Sequence, residues 1–123
     1  MQTGHRKHLG RLGEQFAAEH FARLGYDVLA RNHQTRYGEL DLVLSDGRTL
    51  VFCEVKTRRL GSGGDPLEKL TPDKQAQVRK MAAAWLAEPS DRPWHDDLRF
   101  DAVGVLVDRY DGLVRLDHLE GAF

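Results

Sequence analysis

The chain has 123 residues, a length that predicts one domain, residues 1–123, with a hydrophobic core of its own. Its formal net charge of −1 argues against a strong non-specific nucleic-acid binder, and its apolar runs are too short to cross a bilayer. The single cysteine excludes an intrachain disulfide, and no apolar segment follows the basic amino terminus, so we expect a cytoplasmic protein without a secretory signal or a membrane contact.

The charges are unevenly distributed along the chain. Residues 1–87 contain 14 Lys and Arg against 10 Asp and Glu, whereas residues 88–123 contain 4 against 9. Such polarity can steer a polyanion toward the basic part of a protein, although scattered solubilising charge is an equally good explanation for any single residue.

A helix is predicted first, from about Lys7 to Leu24, with Gly25 as its C-terminal stop. Its apolar stripe consists of Leu9, Leu12, Phe16, Ala17, His20, Phe21 and Leu24. Glu14 lies at the border of this stripe, where periodicity alone predicts a solvated side chain. A strand from Tyr26 to Gln34 and a turn at residues 35–38 follow.

A β-hairpin is predicted next, because Asp46-Gly47 stands between two segments of alternating apolar residues. With these two residues as the turn, Ser45 pairs with Arg48, Glu39 lies opposite Glu54, and Asp41 lies opposite Phe52. Alternation then gathers one polar face, made of Glu39, Asp41, Phe52, Glu54 and Lys56. The other face forms a core surface of Leu40, Leu42, Leu44, Val51, Cys53 and Val55.

The polar face of the hairpin has the composition of a metal site. Asp41 and Glu54 are close enough in this register to share a cation, and Mg²⁺ prefers oxygen ligands of this kind. Lys56 points the same way and is suited to orient or deprotonate an attacking water. A Glu-x-Lys strand is also common as an exposed ion pair, but Glu39 opposite Glu54 would then be a destabilising pair of like charges.

The second half of the chain predicts a loop, a helix and two strands. The loop from Leu60 to Pro66 is interpreted equally well as a mobile flap or as a plain linker. Thr71 and Pro72 predict a helix start, and the helix core stripe is Val78, Met81, Ala82 and Trp85. Strands are expected at 99–107 and 113–119. The order α-β-β-β-α-β-β predicts an α/β fold, a mixed β-sheet flanked by helices.

The two hairpin motifs carry a family resemblance. Gly38-Glu39-Leu40-Asp41 together with Glu54-Val55-Lys56-Thr57-Arg58 resembles the YraN-type family of predicted endonucleases, and further similarity covers most of the chain, including Gly13-Glu14, Gly25-Tyr26, Arg31-Asn32, Lys74-Gln75 and Arg99-Phe100-Asp101. The resemblance implies kinship with Holliday-junction resolvases and a restriction-endonuclease-like core of the PD-(D/E)xK superfamily. Gly38 replaces the nominal proline of that motif, and Cys53 replaces an expected valine on the apolar face.

The resemblance also implies roles for individual residues. Asp41 and Glu54 would bind Mg²⁺ (or Mn²⁺), with the Val55 carbonyl as a further ligand, and Lys56 would be the catalytic lysine. Glu14 would join the metal site directly or through water, whereas Glu39 would be either a partner of the ligands or a hairpin-edge residue. Nucleic-acid contacts are expected from the basic part of the chain and the rim of the site, namely Arg36, Arg58, Arg59, Lys74 and Gln75.

The leading functional hypothesis is therefore a metal-dependent endonuclease that hydrolyses DNA phosphodiester bonds, on branched or structured DNA if the resolvase kinship extends to substrate. A homodimer is implied if the protein resolves junctions, because the chain has one catalytic set. The alternatives are a non-catalytic nucleic-acid-binding module that retains the fold, and a metal-dependent enzyme acting on RNA or free nucleotides.

Overall fold

The computed structural model describes residues 2–123, with side chains from residue 4 onward. The α-helices are α1 (Gln2–Arg23) and α2 (Pro72–Ala87), and a short 3₁₀ helix covers Pro66–Lys69. The five strands are β1 (Asp27–Thr35), β2 (Gly38–Ser45), β3 (Thr49–Arg59), β4 (Asp97–Val107) and β5 (Leu113–Leu119). The predicted α/β fold, a mixed sheet flanked by helices in the order α-β-β-β-α-β-β, is confirmed.

The sheet has the strand order β1-β2-β3-β4-β5. Neighbouring strands are antiparallel except for β3 and β4, which are parallel. A parallel pair requires a crossover connection, and the segment containing α2 supplies it. None of the helices in residues 2–123 combines the length and the apolar character needed to cross a membrane.

Each face of the sheet carries its own hydrophobic core. Under α1, Ala17, Ala18 and Phe21 pack against one set of strand residues, which includes Leu42, Leu44, Val51, Cys53 and Val55. Under α2, the predicted stripe of Val78, Met81, Ala82 and Trp85 packs against Leu40, Val43, Leu50 and Phe52. The hairpin face predicted to be polar is therefore buried under α2 over much of its length. Only toward the end of β3 does it carry polar side chains.

Two residues depart from their predicted apolar groups, Leu24 from the stripe of α1 and Leu40 from the apolar face of the hairpin. Leu24 is 53% exposed because α1 ends at Arg23 and the chain turns away through Gly25. Leu40 belongs to the α2 core, while Leu42 and Leu44 belong to the α1 core. β2 thus changes the face it presents at Asp41, where it begins to separate from β3.

The predicted hairpin register is wrong by two residues. Ser45 pairs with Leu50, Val43 with Phe52 and Leu42 with Cys53, so neither the Glu39–Glu54 pair nor the Asp41–Phe52 pair forms. The turn centres on Gly47 and Arg48, because Gly47 adopts a φ of +95° while Asp46 accepts hydrogen bonds from the Arg48 and Thr49 amides. A shift of two does not exchange the faces of the two strands, so Asp41 stays on the side of Glu54 and Lys56, although Leu40 does not stay with Leu42 and Leu44.

Close contact between α1 and β3 depends on Gly13. A Cβ atom added to this glycine would lie 1.8 Å from Thr57 Oγ1 and 2.9 Å from Thr57 Cβ. Gly13 directly precedes Glu14, and Thr57 directly follows Lys56. The absence of a side chain at residue 13 therefore allows the helix to bring Glu14 close to the end of the hairpin.

We expect Gly13→Ala to lower the free energy of unfolding by about 1–3 kcal/mol, because the new methyl group overlaps Thr57 and forces α1 away from β3. Gly10→Ala is the matched control, since a Cβ there meets nothing within 4 Å and alanine is the better helix former. Denaturant titration of the two variants measures the difference. Equal stabilities would contradict the close approach of α1 to β3.

Asp101 on β4 is a buried carboxylate that links several segments on the α1 side of the sheet. It accepts hydrogen bonds from Arg99 Nε at 2.7 Å, His118 Nε2 at 2.7 Å and the Gly121 amide at 3.0 Å. His118 in turn contacts His20 of α1 at 3.0 Å. Burial alone would raise the pKa of Asp101, but the hydrogen bonds from His118, Arg99 and Gly121 outweigh it and lower the pKa to about 2.

The low pKa predicts a specific acid sensitivity. The folded state holds Asp101 ionised below the ordinary aspartate pKa of about 3.9, so its stabilising contribution is present above pH ~4 and is lost as pH falls toward 2. We expect the stability difference between wild type and Asp101→Asn to shrink by about 2 kcal/mol across this interval. Denaturant titrations at several pH values measure it, and a difference that stays constant with pH would show that Asp101 titrates normally.

Candidate metal centre

The candidate site lies where β2 and β3 part. Their paired residues end at Leu42 and Cys53, although β1 continues to pair with β2 down to Gly38 and β4 continues to pair with β3 up to Arg59. Asp41 bridges the opening, since its Oδ2 accepts a hydrogen bond from the Val55 amide at 2.9 Å. The strands thus form a fork, and the first acidic side chains beyond the last pair face each other across it.

Asp41 and Glu54 are the carboxylates at this fork. Asp41 keeps intermediate exposure as a residue, but Glu54 is only 3% exposed. Burial of the Asp41 carboxyl, followed by the negative charge of Glu54, raises the pKa of Asp41 well above its usual value, and the Val55 hydrogen bond offsets this only in part. The predicted proximity of the two carboxylates is therefore present, although through a different register.

Two lysines approach one oxygen of Glu54. Lys56 Nζ lies 3.3 Å from Oε1 and Lys74 Nζ lies 3.4 Å from the same atom. The second oxygen, Oε2, is buried and has no hydrogen-bond partner among the described residues. A buried carboxylate oxygen without a partner is costly, so an oxygen-seeking cation at this position would relieve a real deficit.

Two further carboxylates lie at the fork, Glu14 of α1 and Glu39 of β2. Glu14, Glu39 and Asp41 each offer an oxygen, and the three atoms lie within 4.8 Å of one another. Arg11 Nη1 lies 3.1 Å from both Glu14 Oε1 and Glu39 Oε1. Glu39 therefore belongs to the cluster, which favours its interpretation as a partner of the ligands over that of a hairpin-edge residue.

Asn32 is a contributor that sequence reasoning missed. Its side-chain amide donates to Glu14 Oε1 at 2.5 Å and to Glu39 Oε1 at 3.2 Å. Its φ of +50° is unusual for a residue without glycine's freedom, and asparagine is among the few side chains that tolerate it. The signal available in the sequence was the Arg31-Asn32 pair, but nothing in the local pattern connects β1 with α1.

The residues predicted to contact nucleic acid do not all lie at the fork. Lys74 lies inside the site on Glu54, whereas the Gln75 amide donates to the Leu70 carbonyl at 3.2 Å and supports the start of α2. The Arg36 guanidinium lies 4.9 Å from the centre of the Tyr37 ring, and no described contact joins it to the fork.

The two arginines at the end of β3 differ in what they bind. Arg58 donates a hydrogen bond of 3.3 Å to the Gly63 carbonyl. Arg59 is held by the Asp108 carbonyl at 2.8 Å and by Asp111 Oδ1 at 3.0 Å. Arg59 therefore braces the β4–β5 turn, and its role in nucleic-acid binding stays a prediction.

The residues present fit a divalent cation that prefers oxygen. Glu14, Glu39 and Asp41 form one cluster, and Glu54 interacts with Asp41 beside it, so four carboxylates stand against the three cationic side chains of Arg11, Lys56 and Lys74. The unpartnered Glu54 Oε2 and the crowded Asp41 supply convergent oxygen donors of the kind that Mg²⁺ and Mn²⁺ select. Binding of a cation would balance the excess negative charge.

We expect Asp41→Asn to raise the free energy of unfolding by about 1 kcal/mol in chelator-containing buffer at neutral pH. The change removes one of two crowded carboxylates, while its amide oxygen can still accept the Val55 hydrogen bond. Glu39→Gln is the control, because that carboxylate is more exposed and already has Arg11 as a partner. A destabilised Asp41→Asn protein would show that the fork carries no electrostatic strain.

Comparison with known sequences identifies a family of similar proteins. Residues 13–105 match the model described as "Uncharacterised protein family UPF0102". The chain is 45% identical to a UPF0102 protein of Acidothermus cellulolyticus, over 96% of this chain and 95% of the relative. It is 50% identical to one of Frankia alni, over 94% and 93%, and 43% identical to one of Nocardia farcinica, over 99% and 94%.

Proposed function

The chain belongs to the UPF0102 family, and we propose that it is a metal-dependent endonuclease that hydrolyses DNA phosphodiester bonds. The observation that carries the proposal is the fork, where Asp41, Glu54 and Lys56 converge from two strands and one buried oxygen of Glu54 lacks a partner among the described residues. The hairpin motifs resemble the YraN-type family of predicted endonucleases, and the kinship with Holliday-junction resolvases that this resemblance implies supports the same assignment.

The roles follow from the contacts of each residue. Asp41 and Glu54 would hold Mg²⁺ or Mn²⁺, with the Val55 carbonyl as a further ligand and Glu14 joining directly or through water. When bound, the ion would neutralise charge on the phosphate and polarise the water that attacks it. Arg11 and Asn32 would position Glu14, because both donate to its Oε1.

Lys56 would act on the reacting groups themselves. Its ammonium lies 3.3 Å from Glu54 Oε1 and would orient the attacking water and donate a hydrogen bond to a phosphate oxygen. Hydrolysis forms a bond from the water oxygen to phosphorus and breaks the bond from phosphorus to the departing sugar oxygen, which takes up a proton. Lys74 contacts the same oxygen of Glu54 and would hold that carboxylate in place as Lys56 moves toward substrate.

We expect the purified protein to cut DNA in Mg²⁺ or Mn²⁺ but not in EDTA, and Lys56→Ala to lower the rate by about 100-fold or more. Single-stranded, duplex, flap and four-way-junction DNA, with an RNA strand beside them, identify the preferred substrate. Lys80→Ala is the matched control, because Lys80 faces the Tyr37 ring on the α2 side.

Two other results would redirect the assignment. DNA binding by wild type and Lys56→Ala without cleavage of any substrate would favour the non-catalytic binding module. Cleavage of RNA alone would favour a ribonuclease built on the same carboxylates. Cleavage that persists equally in Lys56→Ala and Asp41→Asn would assign the activity to a contaminant and overturn the proposal.

A further inference from the structure

A basic groove adjoins the fork on the side of the α1 amino-terminal turns. It encloses about 480 Å³ between α1, the end of β3 and the 3₁₀ helix. Six of its ten lining residues have basic side chains, namely His5, Arg6, Lys56, Arg58, Arg59 and Lys69. None of the described residues that line it carries a carboxylate, in a protein whose acidic and basic residues are nearly equal in number. The groove is therefore a local concentration of positive charge.

The basic side chains of the groove differ in how far they are already engaged. Arg59 donates hydrogen bonds to the Asp108 carbonyl and to Asp111, so its guanidinium is already engaged within the protein. Arg6 and Lys69 are exposed, and among residues 4–123 neither forms an ion pair with a carboxylate. Exposed cations without an internal partner are available to an external anion. Arg6 of α1 and Lys69 of the 3₁₀ helix line the same groove from different elements, so both can hold one polyanion.

Lys56 connects the groove with the candidate metal centre. The same side chain lines the groove and lies 3.3 Å from Glu54 Oε1 at the fork. An anion in the groove is therefore in contact with a residue that also contacts the reacting site.

The described lining of the groove offers no Phe, Tyr or Trp ring on which bases could stack, and its arginines can donate to phosphates as well as to base edges. Stacking on such rings is how most single-strand binders hold bases. Its remaining lining residues are Leu9, Thr57, Ser62 and Pro66. These features favour contact with the sugar-phosphate backbone, independent of sequence.

We propose that this groove binds the backbone of one nucleic-acid strand immediately beside the scissile phosphate, with Arg6 and Lys69 as the phosphate contacts and Lys56 as the link to the site. The proposal rests on the endonuclease function and adds to it the path of the substrate. The groove takes the part of the strand on one side of the cut, and that part is recognised by charge and not by base.

The test measures binding separately from cleavage. Binding of a fluorescein-labelled single-stranded DNA oligonucleotide is followed by anisotropy in EDTA, where no cutting is expected, at several salt concentrations. We expect Arg6→Glu and Lys69→Glu each to weaken binding by about tenfold and to reduce the slope of log K against log salt by roughly 0.7 for each phosphate that the variant no longer neutralises. Arg6→Lys keeps the charge and should retain most of the affinity.

Lys80→Glu on α2 is the control for net charge, because it changes the charge by the same amount at a residue that lies near the Tyr37 ring and does not line the groove. Thermal unfolding of each variant confirms that the groove substitutions, both at exposed positions, leave the fold intact. Equal losses of affinity in Lys80→Glu and in the groove variants would overturn the groove as a site, since the effect would then be one of overall charge.

Cleavage assays on the same variants separate this inference from the endonuclease proposal. Loss of binding in the groove variants of a protein that cuts nothing would support the groove and count against the nuclease. Normal binding and cutting in both groove variants would overturn the groove and leave the nuclease standing. If wild-type protein binds no DNA or RNA strand at all, both proposals fall.

Discussion

The separation of β2 from β3 is the constraint on which the candidate site depends. Beyond the Leu42–Cys53 pair each strand keeps only its outer neighbour, because β1 continues to hold β2 and β4 continues to hold β3. The sheet can therefore open in its middle while each strand keeps backbone hydrogen bonds along one edge. Asp41 compensates for part of the opening by accepting the Val55 amide hydrogen. The Asp41 carboxylate thus takes the place of a backbone carbonyl of β2 as the acceptor for the Val55 amide.

The helices supply the remaining charges from opposite faces of the sheet. α1 brings Glu14 and Arg11 to the fork, which requires Gly13 because any side chain there would overlap Thr57. α2 brings Lys74 to Glu54 from the other core. The lysines occupy one oxygen of Glu54 and leave the other without a partner among the described residues, so the internal cations balance the acids incompletely. This incomplete balance supports a site for an additional cation more strongly than the number of carboxylates alone.

The sequence predicts well which strand residues share a face, because side chains alternate along a strand. It predicts poorly the contacts between residues of different elements. The predicted hairpin register is wrong because it takes Asp46-Gly47 as the turn, whereas the Asp46 side chain caps the turn and Gly47 begins it. The grouping of Asp41, Glu54 and Lys56 is nevertheless correct, since an even shift preserves the faces of both strands. An odd shift would have placed Asp41 on one face of the sheet and Glu54 and Lys56 on the other.

Other features of the site could not be derived from local pattern. Asn32 and Arg11 reach the cluster from different elements, and their role depends on how α1 crosses β1, which no local periodicity encodes. Only the family resemblance connects Glu14 with the site, because its helical position alone predicts a solvated side chain. The α2 core, by contrast, follows from its helical stripe and its threonine cap, and all four predicted core residues are buried.

The side-chain charge changes along the end of β3 from negative at the buried site to positive toward Arg59. Glu54, Lys56 and Arg58 alternate with the strand period and so project on the same side, from a buried carboxylate through a bridging ammonium to a more exposed guanidinium. A phosphate chain approaching along this edge would meet attractive charge first and the carboxylates last. The carboxylates would repel it unless a cation intervened, so a bound metal ion would favour the approach of the backbone to the carboxylates. Arg36 and Lys80 lack this arrangement, because both lie against Tyr37, away from the end of β3.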